Sequence, residues 1–156
     1  MDYAKGRIGR VFTVRIDHTD DLIMELIKFA ELEHIESAFF TLLGALREGK
    51  LVTGPKESVL PPEPIWSVFD DVHEILGIGN IFLEDGKPKI HLHVGAGRED
   101  GVKLGCLRVQ SEVFMVVEAF ILEIEGISVR RVSDTEKGFS PVKFEKSQNW
   151  NDNYYT

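Results

Sequence analysis

Residues 86–109 read GKPKIHLHVGAGREDGVKLGCLRV. An alternating apolar run at 88–95 ends in an acidic, glycine-bearing segment, GAGREDG at 95–101, and a second apolar run follows. That pattern predicts two antiparallel strands joined by a hairpin loop. On the first arm His91 and His93 lie two positions apart, so a strand sends both side chains to one face. If the turn is centred between Arg98 and Glu99, Cys106 falls directly across from His91, where opposed Cβ atoms are about 4.5–5.5 Å apart. Two imidazoles and one thiolate then converge, which is a donor set for tetrahedral zinc with its fourth position free. A register slip of one residue would send Cys106 to the other face. The alternative is that both histidines are hydrogen-bonded and partly buried, Cys106 is a small buried hydrophobe, and Gly95, Ala96 and Gly97 simply make a turn. A nucleotide loop is a poor alternative, because the segment lacks GxGxxG spacing and no helix signal follows.

Strands continue on both sides of this hairpin. WSVF (66–69), HEILGIGNIFL (73–83), EVFMVVEAFILEI (112–124) and ISVRRV (127–132) are rich in β-branched and aromatic residues, and EDGK (84–87) suits a tight turn. Upstream, VFTVRI (11–16) reads as a first strand. HTDD then offers capping residues ahead of Leu22, Ile23, Leu26, Ile27 and Ala30 at helical spacing, which predicts a helix over about 20–33. SAFFTLLGAL (37–46) is apolar enough to predict a strand buried on both faces. GPKESVLPPEP (54–64) breaks regular structure and marks the longest loop. The expected class is α+β, a curved antiparallel sheet with one main covering helix. One domain is expected over 1–145, with a polar tail at 146–156 that either frays or packs on a neighbouring subunit.

The bulk properties fit that class. The chain has 156 residues, 43% hydrophobic and 28% charged, which is a globular composition able to bury one ordinary core. Its longest apolar stretch, VFMVVEAFILEI at 113–124, contains Glu118 and falls well short of the roughly 20 residues of a membrane helix. The N-terminus lacks an apolar signal core. Cys106 is the only cysteine, so no intrachain disulfide forms and a soluble, cytoplasmic protein is expected. The net charge of −8 opposes the phosphate-driven part of nucleic-acid affinity. Lys5, Arg7, Arg10 and Arg15 gather near the start, as a solvated strand edge by default or as a local positive strip.

The segments IESAFFTLLGAL, HEILGIGNI (73–81), GKPKIHLHVGAG (86–97) and LGCLRVQSEVFMVVEAFILEI (104–124) carry a resemblance to the PPC domain, a module of plants and prokaryotes. The resemblance runs from about Arg10 to Glu125. It implies an α+β fold with a curved antiparallel sheet and, for stand-alone members, a homotrimer. The domain is also similar in structure to acetolactate decarboxylase, whose metal sits on a His-x-His pair and a third histidine. Carried over by position, the ligands are His91, His93 and Cys106, with cysteine where the family pattern HLH…GGH has histidine. Zinc, or another divalent transition metal, accepts either ligand. A thiolate donates more charge than an imidazole, so a metal-dependent lyase or hydrolase activity is open but not favoured.

Two carboxylates complete the candidate list. Glu118, inside an apolar strand, is either a solvent-facing residue or a group bonded to a metal-bound water or ligand histidine. Glu74 aligns with a glutamate of the family motif and is a pocket or subunit-contact candidate. His73 reads as structural, His18 and His34 as exposed helix-flanking residues, and Trp66 as core or interface. The leading expectation is a zinc-binding homotrimer with a small-molecule or catalytic pocket at the metal. The alternative is DNA binding without an AT-hook, since KGRIGR lacks the proline of that motif.

Overall fold

The computed structural model describes residues 1–145; the expected tail at 146–156 lies outside the described residues. The elements in chain order are β1 (Arg7–Asp17), α1 (Leu22–Leu32), β2 (Ser37–Leu46), β3 (Gly49–Pro55), β4 (Pro64–Phe69), β5 (His73–Glu84), β6 (Lys87–Arg98), β7 (Gly101–Val109), β8 (Val113–Glu125), β9 (Val129–Arg131) and β10 (Val142–Phe144). The class is α+β, with strands in the order β1-β8-β2-β5-β6-β7-β3-β4 and antiparallel neighbours throughout that path. The short β9 adds to β5 in parallel and pairs with β10.

Helix α1 starts where the sequence offers a cap. The Asp21 carboxylate accepts the Met24 N–H at 2.9 Å and satisfies one donor of the first turn. Leu22, Leu26 and Ala30 form the buried stripe, and α1 packs on β6. Beneath it the inward residues of the sheet, including Phe40, Leu42, Ile81, Leu92, Val94 and Ile121, form one continuous core. Space for the largest of these comes from glycine: a Cβ on Gly79 would stand 2.2 Å from the Phe40 ring. A turn over Asp85 and Gly86, both at positive φ, closes the β5–β6 hairpin.

Three expectations need correction. SAFFTLLGAL forms β2 but is buried on one face only; Phe39 and Leu43 are 41% and 44% exposed on the other. The reason is that α1 covers a single side of the sheet. GAG at 95–97 belongs to β6 instead of a loop, and the chain reverses over Glu99 and Asp100. The hairpin centre therefore lies one residue later than expected, so Cys106 faces His93 and not His91. That shift moves the pairing by two positions, which preserves the face of every side chain. The strands β3 and β10, short and broken by glycine or charge, were not expected from the sequence.

Candidate metal centre

Strand β6 sends Leu92, Val94 and Ala96 into the core and His91 and His93 to the opposite face. Across the ladder, β7 turns Leu107 to the core beside Leu92 and presents Cys106 opposite His93. The next strand continues the row, with Val52 opposite Cys106 and Trp66 opposite Val52. One donor atom each of His91, His93 and Cys106 lies within 4.8 Å of the others. The two Nε2 atoms are 3.1 Å apart, with the rings nearly edge to face at 74°. Two nitrogens bound to one tetrahedral zinc stand about 3.3 Å apart, given bonds of about 2.0–2.1 Å. The pair therefore has a separation that suits zinc, and the sulfur of Cys106, a residue at 4% exposure, lies within 4.8 Å of both.

The electrostatic setting favours neutral donors. Burial, followed by the charges of Arg131, His93 and Arg108, pushes His91 down to about 4. Its ring is neutral near pH 7 and keeps a lone pair for a cation. Burial pushes the Cys106 thiol up, while Arg108 and Arg131 act in the opposite direction. Coordination by a divalent ion removes such a proton outright.

Arg131 is the neighbour that sequence reading missed. Its guanidinium donates to the Asn80 side-chain oxygen at 2.8 Å and the Ser140 carbonyl at 3.0 Å, and approaches His91 Nδ1 at 3.3 Å. Metal-binding histidines usually donate that second nitrogen's proton to a carboxylate or carbonyl. Here a cation stands in that place. For Nε2 to bind a metal, the ring proton moves to Nδ1 and the contact with Arg131 gives way. No local signal in ISVRRV announced this, because Arg131 arrives through the parallel pairing of β9 with Glu84 of β5.

The other candidates are not brought to the donors. Glu118 is exposed on the same face of β8, opposite Leu43 of β2. It is separated from His93 by β2 and β5, a lateral distance of about 14 Å at the usual strand spacing. Glu74 is exposed opposite Gly97 at the far end of β5. His73 packs on Phe69 at 4.4 Å, while His18 accepts the Met115 N–H and His34 is exposed. Trp66, 46% exposed, is neither core nor free surface: Lys50 lies over its ring at 4.6 Å. It walls a cleft of about 720 Å³ that reaches the three donors. The loop between β3 and β4 and residues 138–140 form the other walls.

The sequence model of the Plants and Prokaryotes Conserved (PCC) domain matches residues 3–125. Among solved structures, a PPC protein of Pyrococcus horikoshii superposes with a TM-score of 0.79 at 29% identity, covering 94% of this chain and 100% of its own. A protein of Archaeoglobus fulgidus described as metal-containing gives 0.80 at 26% identity, again over 94% and 100%. A "putative DNA-binding protein" of Ralstonia eutropha JMP134 gives 0.72 at 20% identity, over 85% and 90%, a likeness of fold alone. A search of curated proteins finds no match.

Proposed function

The chain belongs to the Plants and Prokaryotes Conserved (PCC) domain family, and from that premise we propose that it is a zinc-binding protein whose metal is held by His91, His93 and Cys106. The observation that carries this reading is the convergence of three donor atoms within 4.8 Å on one face of β6 and β7. The metal-containing protein of A. fulgidus, alike in fold over nearly the whole chain, supports it. All three donors line the cleft, so a metal held by them would supply a Lewis-acidic site within reach of a small molecule there. His91 and His93 would orient the ion and the buried thiolate would reduce its acidity, while Pro62, Pro64 and Trp66 line the cleft beside them. Binding or sensing of a small molecule fits this better than hydrolysis, because a thiolate-bound ion acidifies water less than a three-histidine one.

The protein acts as a homotrimer in this reading. Support comes from the outward face of the sheet, where Leu76, Ile78 and Leu104 are 71%, 61% and 68% exposed beside the donors. Contiguous apolar surface of that kind marks an interface. No helix among the described residues is long and apolar enough to cross a membrane. DNA binding is the weaker reading. Arg7, Arg10 and Arg15 of the proposed positive strip are paired with Glu125, with Glu123 and Glu33, and with Asp17, which leaves little free charge for phosphates.

Elemental analysis of protein purified without added metal tests the metal reading. About one zinc per chain, lost when His91, His93 and Cys106 are changed to alanine, is the expected result. Protein that folds without a stoichiometric transition metal, or the triple variant retaining it, would overturn the reading.

A further inference from the structure

We propose that the cleft over the metal donors binds a small organic oxyanion, a carboxylate or phosphate group on an apolar body, with Arg108 holding the charged end and one oxygen reaching the metal. The inference deepens the metal reading and rests on it for that last contact only.

The charges around the donors lead to it. No carboxylate stands among His91, His93 and Cys106. The formal charges that act on both His91 and Cys106 are the guanidinium groups of Arg108 and Arg131. Arg108 lines the cleft, is exposed to it, and makes no ion pair among the described residues. Among the described residues Arg131 donates only to neutral acceptors, and its buried Nε–H has no partner. The carboxylate whose charge acts on Arg131, Glu84, is shared with Lys89 at 3.0 Å. A zinc ion with one thiolate retains a positive charge, and both arginines add to it. In a chain of net charge −8, this is a local cationic pocket in which Arg108 has no ion-pair partner among the described residues. Such a pocket with low-dielectric walls concentrates anions.

Shape narrows the ligand class. The cleft, at about 720 Å³, falls in the range that encloses a small molecule. Its charged floor is bounded by Pro62, Pro64, Trp66, Leu104 and Phe139. A bare inorganic ion would leave those walls without contact, whereas an organic acid or organic phosphate uses both ends. Arginine fits the role because its planar fork meets a carboxylate or phosphate through two parallel bonds.

Cobalt(II)-loaded full-length protein provides the test, with benzoate and inorganic phosphate as probes. The thiolate-to-cobalt absorption band reports Cys106 ligation, and the visible d–d bands report an oxygen entering the open position. Expected is a saturable change in the d–d bands, tighter for benzoate than for phosphate, with affinity lowered about tenfold or more in Arg108→Gln. Arg130→Gln removes the same charge outside the cleft and should leave affinity within about twofold. The proposal is overturned if the thiolate band is present but neither anion alters the spectrum, or if Arg108→Gln binds as tightly as the unmodified chain. Equal weakening by Arg130→Gln would also overturn it, since the effect would then be one of net charge. A missing thiolate band fails the metal reading instead; equilibrium dialysis of labelled benzoate against metal-free protein then decides the arginine site, by whether Arg108→Gln lowers retention.

Discussion

His93 stands directly across the β6–β7 ladder from Cys106, while its Nε2 lies 3.1 Å from that of His91. One side chain is thus common to both links of the donor set, one along a strand and one across strands. Removing the cross-strand member separates metal binding from folding. Cys106→Ser changes one buried atom and leaves the imidazole pair intact, so the fold should persist. Zinc affinity should fall by more than the about 10–100-fold typical of losing an outer supporting contact. Cys106→His should restore much of it, because zinc takes either donor. Competition with a chromophoric chelator measures all three proteins.

Proton release on metal binding follows from the thiol. Burial raises Cys106 above its ordinary value, so the free protein carries S–H near neutral pH and zinc must displace that proton. His91, pushed down to about 4, offers no competing proton there. Zinc affinity should therefore rise with pH through the neutral range, with about one proton released per ion. Calorimetry in buffers of different ionisation enthalpy counts that proton.

The same histidine shapes acid stability in the metal-free protein. An unfolded histidine takes up its proton near 6.5, whereas His91 in the fold does so only at about 4. Between those values the unfolded chain binds more protons, so stability declines as pH falls from about 6.5 to 4 and is unaffected by this group above that window. Urea midpoints at stepped pH should show the decline, shallower in His91→Gln.

Ile78 sits opposite His93 on β5 and is 61% exposed. If this face is the subunit contact, Ile78→Glu places a charge in each copy of an apolar interface, where burial without a partner is costly. Light scattering should show a trimer for the unmodified chain and a monomer for the variant, with far-UV circular dichroism unchanged.

Gly79 lies beneath the Phe40 ring, and an added Cβ would come within 2.2 Å of it. Gly79→Ala should destabilise by about 1–3 kcal/mol, the usual penalty of overpacking. Phe40→Leu in the same chain should recover part of that loss, since neighbouring changes are not additive. Denaturant midpoints of both single variants and the double variant test the coupling.

Much of this arrangement was legible from local pattern. Alternation over KIHLHV placed both histidines on one face, and the capping residues before Leu22 located α1. Parity carried the thiol to the correct side even though its partner was misassigned, since the error of two positions left every face unchanged. The corner itself was ambiguous because acidic residues and glycine fill several adjacent positions of GREDG, and nothing there favours one two-residue turn over the next. Glu118 could not be placed from sequence, since only the β8–β2–β5–β6 order shows how many strands separate it from His93. Arg131 was beyond reach for the same reason. Its approach depends on a parallel contact formed after about 45 intervening residues, which no periodicity encodes.

The reversal over Glu99 and Asp100 is exposed, whereas Leu92 and Leu107 face each other in the hydrocarbon layer further along the same two arms. Which way the sulfur points is thus decided by its apolar neighbour and not by the corner: an amino acid added at the tip lengthens the loop, while Leu107 stays inside and keeps Cys106 on the outer side.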